Sequence, residues 1–458
     1  MRKVLIPLIF ILPASVTWLS CGGTPTASPQ TSGVKYRAFI TNNVSAGSTG
    51  AGIYIVDASL DVRAPGAVIS AGSTPGMMVV TPNHAQTLVF SGNGTQFSDN
   101  TFSVINNASE GNAAHLTLPG MTESFVVSPD SSAAYIAIPT APVVGQSPGI
   151  VQVISLNSGS VSGQAEVPGV HYLSINHGGN RILGFSEGTD AVADTVAVIT
   201  PSNIGIPNAS AVNYIGGPGI FDHPVAAFFS SDDSTAYILS CGAECGGMQA
   251  GVQQYNMVTN TLVASLPLCT SGANPQCAGS EALVNGSTMY VAGTPMPAAA
   301  CTGQTTAAQS CGLLNVVDLS TMTLTTSGIA ITDGYHNRIA LGANGQLFIG
   351  ASDCTEIVPP VPTPPGTETR GCLTIYNTLS TAVGGAPAGG VVISPANGDV
   401  TGIEPIGTRQ VVYVVQGGSL DIYDDTIDAL EYNPNNPNNP GKVNALVGNF
   451  IDVKTVDF

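Results

Sequence analysis

One pattern recurs through this chain and constrains its fold more than any other. An apolar strand carrying an aromatic or branched residue is followed by a loop and then by a second apolar strand ending on a short polar residue. The clearest copy is SPDSSAAYIAIP at 128–139 followed by GIVQVISLNSG at 149–159. The first strands carry Phe39, Val89, Tyr135, Ile182, Tyr237, Tyr290, Phe348 and Tyr413, at spacings of 50, 46, 47, 55, 53, 58 and 65 residues. The second strands end on Asp57, Asn106, Ser155, Thr200, Asn256, Asp318, Asn377 and Asp424. Each of these side chains can accept a hydrogen bond from the N–H groups of a following turn. A repeat of about 50 residues made of short strands and turns is the mark of a β-propeller. A solenoid needs shorter repeats of even length, and an immunoglobulin-like array needs about 100 residues per unit.

Eight hairpins predict an all-β propeller of eight four-stranded antiparallel blades, a single domain over 36–458. Seven blades are the alternative, because the last unit, 401–458, is irregular and holds the loop tract NPNNPNNPG. In each blade the innermost strand resembles ESFVVSPD and the outermost GSVSGQAEVPG. The first hairpin, AFITNN to GIYIVDAS, has no inner strand before it. The chain ends in NALVGNFIDVKTVDF, read as one more outer strand and then an inner one. VKTVDF is therefore expected to complete the first blade and cover the edges an open array leaves unpaired. Composition agrees, since 54 Gly and 32 Pro make close to a fifth of the 458 residues and suit short strands with tight turns. Only 9% of residues are charged, and eleven basic residues against a net charge of −18 exclude a phosphate-tracking, nucleic-acid-binding surface.

The N-terminus reads as a processing segment. Arg2 and Lys3 precede an apolar run from Val4 to Leu12, far short of the roughly 18–20 residues that span a bilayer. The run leads to Trp18-Leu19-Ser20-Cys21 and then Gly22-Gly23. This resembles a bacterial lipoprotein signal, in which a small residue precedes the cysteine that is lipidated after cleavage; Trp18 departs from the usual Leu. The resemblance implies a signal peptide at 1–20, lipidation at Cys21, and an exported chain anchored at the cell envelope, periplasmic or on the surface. Cleavage nearby with Cys21 left free is the other reading, and it also exports the chain. Residues 21–35, rich in small polar residues, read as a flexible tether.

Eight cysteines remain, an even number suited to an oxidising compartment. Pairing in sequence order joins Cys241 to Cys245, Cys269 to Cys277, Cys301 to Cys311 and Cys354 to Cys372. Each bridge closes a short loop and is worth about 2–3 kcal/mol. The close knuckles of a zinc site and the spacing of a redox motif are both missing.

The segments VVSPDSSAAYIAI, FFSSDDSTAYILS and LLNVVDLSTMTL resemble the YVTN-type β-propeller repeat family, which is related to lactonase-like propellers. The resemblance covers nearly all of 36–458, with a degraded consensus. It implies the propeller fold and a channel mouth that in lactonase-like relatives hosts chemistry. No motif transfers residue by residue.

In a propeller the loops joining second to third strands, and fourth to next first strands, emerge on one face. All four cysteine pairs fall in such loops, as do the long insertions 293–312 and 354–372. Braced loops on one face suit recognition; equally, bracing offsets the cost of large insertions. Polar residues near the starts of inner strands are Glu123, His171, Asp222, His223, Glu281, His336, Arg338 and Glu404. Of these, His171, His223, Glu281, His336 and Glu404 are candidates for a general base or a divalent-metal set in ester or lactone hydrolysis. The alternative is a hydrated channel of satisfied polar groups. DIYDDTID at 421–428 reads as an exposed acidic strand-turn rather than a calcium loop. No cofactor or metal is expected. The sequence thus favours a monomeric binding or scaffold module without turnover, meeting an envelope protein, glycan or surface polymer. The competing reading is a lactonase-like hydrolase.

Overall fold

The computed structural model of the chain describes residues 31–457 except 45–49, 67, 93–99, 187–192, 218, 269–278, 295–311, 355–371, 384–385, 395–397, 432–445 and 447. The expected signal segment, Cys21 and most of the tether lie outside the described residues. Of the four expected disulfides, Cys241 with Cys245 and Cys354 with Cys372 are formed. The other four cysteines, Cys269, Cys277, Cys301 and Cys311, all lie outside the described residues, so their two expected pairings remain expectations. Among the described residues no helix is long and apolar enough to cross a membrane.

The strands form eight four-stranded antiparallel sheets, an eight-bladed propeller. Blades 2 to 8 each begin on an inner strand: Pro75–Val80, Ser124–Val127, Val170–Ile175, Pro224–Phe229, Glu281–Asn285, Tyr335–Leu341 and Val400–Ile406. Three consecutive strands follow each of them outward. Blade 1 takes Arg37–Asn42, Gly52–Asp57 and Val62–Arg63 from the N-terminus and its inner strand, Phe450–Thr455, from the other end of the chain. Each inner strand contacts the inner strands of both neighbouring blades, so the ring is closed.

The core follows from the pattern of strand residues. Second and third strands are almost wholly buried, as in Arg37–Asn42 and Gly52–Asp57, because both faces of each blade meet another blade. Eight apolar clusters result, one at each seam. Phe102, Phe125 and Ile136 fill that between blades 2 and 3, and Tyr54, Tyr413 and Phe450 that between blades 8 and 1. Exposed edges are short where they end in two-residue strands, Val62–Arg63 and Ala429–Leu430, which limits pairing with other chains.

The polar residue ending each third strand does what its chemistry allows. The Oδ1 of Asp57, Asp318, Asn377 and Asp424 accepts from the amide two residues on, at 2.8–2.9 Å. Asn256 accepts from Val258 and Thr259, and Asn106 from Ser109, at 2.9 Å. Ser155 instead uses its carbonyl, and Thr200 makes no such side-chain bond. Four residues after the polar end, six blades place a residue at φ between 51° and 62°: Asp61, Glu110, Gly159, Asn260, Met322 and Asp428. That left-handed step turns the chain into the fourth strand.

Three expectations need correction. The acidic stretch at 421–428 is not exposed: Asp421, Asp425 and Asp428 are buried, and blade 7 meets the turn at Asp425. Asp425 Oδ2 accepts the Asn344 amide at 2.9 Å. Burial pushes the Asp428 carboxyl up to about 6, helped by Asp425 and Asp424. The fourth strand of blade 8 is Ala429–Leu430, upstream of the NALVG segment expected to supply it, since the third strand turns back at once. The described end of the tether is not free, for Ser32 Oγ donates to Glu110 Oε1 at 2.5 Å.

Seam packing also predicts a glycine requirement. A Cβ on Gly312, which opens the third strand of blade 6, would lie 2.2 Å from the Thr332 carbonyl oxygen and 2.4 Å from His336 Cε1. Gly312→Ala is expected to cost about 1–3 kcal/mol, read as a lowered midpoint in urea with an unchanged slope.

Candidate functional site

The inner strands enclose a cavity of about 830 Å³ at the face where they begin. All eight blades line it. Ile451, Met77, Met121 and Val225 give it apolar surface from blades 1, 2, 3 and 5, interrupted on blade 3 by Thr122 and Glu123. Glu281, Asn337, Arg338 and Thr401 give it a polar wall from blades 6 to 8. Tyr172 of blade 4 and Tyr335 of blade 7 reach across the mouth, with hydroxyls 3.4 Å apart. Both described disulfides open on this face. Cys241–Cys245 follows the second strand of blade 5, and Cys354–Cys372 spans the loop between second and third strands of blade 7, with Cα separations of 5.7 and 5.6 Å. Cys277 and Cys311, like their expected partners Cys269 and Cys301, add nothing to the described site, since all four fall in segments beyond the described residues.

The five sequence candidates separate. His171 Nδ1 meets Glu123 at 3.2 Å, and that hydrogen bond holds the Glu123 carboxyl below its ordinary value. His336 is buried, its ring turned against Gly312. Burial drops its pKa to about 4, against the opposing pull of the Thr332 carbonyl and Asp333. Glu404 faces the closing strand, accepting from Thr455 N at 3.0 Å and Thr455 Oγ1 at 2.5 Å, with Lys454 Nζ at 3.5 Å. Burial works against the Lys454 charge, but Asp452 and Glu404 raise its pKa overall.

His223 lies in a second depression of about 410 Å³ beside the Cys241–Cys245 loop. Its Nδ1 is 3.0 Å from Asp222 Oδ1 and 3.7 Å from Asp194 Oδ1. Among the described residues, Asp194, Asp222 and His223 form the one group of three side chains close enough to share a metal ion. Asp222 Oδ2 is already held by the amides of Met248 and Gln249 at 2.8 and 2.7 Å. Burial alone would raise the Asp222 carboxyl; these amides and His223 keep it low. Asp194 comes from a loop with no sequence signal.

Glu281 and His336 are the candidates that stay on the lining of the channel, and Glu281 faces it as a carboxyl. Burial raises its carboxyl to about 7, against the field of Arg338 and the Ala282 amide. Glu244, inside the Cys241–Cys245 loop and missed by the sequence, is raised to about 7 for the same reason. It accepts from Thr294 N at 2.9 Å and Ser280 Oγ at 3.1 Å, tying the blade 5 loop to blade 6.

Both carboxyls bind their protons more tightly folded than unfolded, where the value is 4.5. Their contribution is therefore complete below about pH 4.5 and is lost as pH rises through about 7. His336 runs the other way and loses stability as pH falls from 6.5 toward 4. Glu281→Gln isolates one term. It is expected to leave stability unchanged near pH 4.5 and to raise it by about 2 kcal/mol near pH 8, less than the full shift because channel water reaches the carboxyl. Thermal melts at the two pH values check this.

Comparison with known proteins adds the fold alone. No family model matches the chain, and no curated protein matches it in sequence. Among solved structures, Kuenenia stuttgartiensis hydrazine synthase is similar with a TM-score of 0.52 and 11% identity, over 79% of this chain and 98% of that one. The Cps50 (Swd1) β-propeller domain of Myceliophteria thermophila gives 0.48 and 11% identity, over 77% and 97%.

Proposed function

We propose that this protein is an exported, lipid-anchored propeller of the YVTN repeat type that binds a partner through its braced face. The partner is an envelope protein, a glycan or a surface polymer, and the protein works as a monomer without turnover. The observation that carries this reading is the placement of both described disulfides in loops beside the cavity mouth. Loops held before a partner arrives lose less entropy on binding. Met248, 86% exposed, projects from the same face. Hydrolysis has less support, because His171, His223 and Glu404 each answer to a different partner.

The test is retention of the purified full-length protein on isolated envelope fractions and glycan arrays. Met248→Asp and prior reduction of the disulfides are expected to lower retention about tenfold, a loss of about 1.4 kcal/mol. Val258→Asp, in a turn on the opposite face, should leave it unchanged. Equal retention of all three would overturn the reading.

A further inference from the structure

We propose that the central cavity is a binding site for a small monocarboxylate with a hydrocarbon body, its carboxylate seated between Arg338 and Glu281. This goes beyond the braced face, which meets a macromolecule. Three observations support it. First, Arg338 is the one Lys or Arg lining the cavity. Its Nε donates to the Thr401 carbonyl at 2.8 Å and its Nη1 to the Asn337 carbonyl at 2.6 Å. These bonds fix the guanidinium while Nη2 stays uncommitted, and no carboxylate lies within ion-pair distance of it among the described residues.

Second, Glu281 is close enough to feel the Arg338 charge yet holds its proton to about pH 7. A protonated carboxyl beside an unpaired guanidinium presents an O–H and N–H groups together, the donor set that a carboxylate accepts from. Third, Met77, Phe90, Met121, Val225 and Ile451 make much of the remaining lining apolar, with Thr122 and the His171-bonded Glu123 beside Met121, and about 830 Å³ accommodates a small organic acid.

Binding is linked to protons. A ligand anion beside Glu281 opposes its ionisation, so the complex takes up a proton from solvent and no covalent bond changes. His336, on the same lining, stays neutral between about pH 6 and pH 8 because burial drops its pKa to about 4, and the other charged groups around Glu281 are already committed. Glu244 is bonded through Ser280, Glu123 to His171, and Lys454 lies between Glu404 and Asp452.

Isothermal titration of the full-length protein with 3-phenylpropionate tests this. The expected result is binding that weakens about tenfold from about pH 6 to about pH 8, with proton uptake visible as heats that vary with buffer ionisation. Arg338→Met should abolish binding. Should that variant fail to fold, Glu281→Gln carries the test, and is expected to bind with no pH dependence. 3-Phenylpropanol, the same body without a carboxylate, should not bind. No heat with 3-phenylpropionate at about 1 mM, or equal binding of the alcohol, would overturn the assignment.

Discussion

A chain ending at Asn449 is expected not to fold as a cooperative monomer. The missing strand, Phe450–Thr455, pairs with Arg37–Asn42 through Ala38↔Thr455, Phe39↔Lys454, Ile40↔Val453 and Asn42↔Phe450. It fills two seams at once. Phe450 and Val453 lie in the core between blades 8 and 1, and Val456 in that between blades 1 and 2. Burying three such side chains is worth about 5–8 kcal/mol, much of the 5–15 kcal/mol by which a typical protein is stable. Polar links go too. Asp452 Oδ2 accepts the Met78 amide at 2.8 Å, and Arg37 pairs with Asp457 at 2.6 Å. The expected outcome is loss of a sigmoidal melt by circular dichroism and rapid proteolysis, with partial recovery when a peptide of residues 446–458 is added. A truncated chain that melts like the full one would show that the ring does not depend on this strand.

The second large effect sits at the same seam. Asp61, buried at the turn before the last strand of blade 1, receives Arg409 Nη1 of blade 8 at 2.6 Å and the hydroxyl of Tyr413. Arg409 also binds the Ala58 carbonyl and Glu431 at 2.9 Å. Burial works against the Arg409 charge, yet Asp61 raises its pKa overall. Burial, with the Asp61 charge, pushes the Tyr413 hydroxyl well above its ordinary value. Asp61→Ala removes the anion from a half-buried cation and strands a buried hydroxyl, and it puts alanine at φ 54°. The expected loss is about 3–5 kcal/mol. Asp61→Asn tolerates the left-handed backbone and should lose less, while Tyr413→Phe should lose about 1–2 kcal/mol. Equilibrium unfolding in urea of the three variants orders them; Asp61→Ala within about 0.5 kcal/mol of the parent would remove the seam's polar network from the account.

The sequence carried the wheel because its signal is repeated. Asp57, Asn106, Asn256, Asp318, Asn377 and Asp424 all cap the same turn, so each copy supports the reading of the others. Closure was legible from one absence, the missing inner strand before AFITNN. Site chemistry was not, because it depends on which neighbour a side chain meets across a seam. Glu404 looks like a channel acid until Thr455 arrives from the far end of the chain. His223 looks like a channel base until Asp194 and Asp222 draw it into another depression. The acidic turn at 421–428 looks exposed until blade 7 meets it at Asp425. Glu281 kept its expected place because, among the described residues, its carboxyl meets only its own Ala282 amide and the field of Arg338.

The most direct test of the closed ring is a cross-link between its two ends. Ala38 and Thr455 are register partners on adjacent antiparallel strands, where Cα atoms lie about 4.5–5.5 Å apart, within disulfide range. The double variant Ala38→Cys, Thr455→Cys, mapped by mass spectrometry after oxidation, is expected to form this bridge in nearly every molecule, within the monomer. Free thiols at both positions, or bridges only between molecules, would contradict the closure.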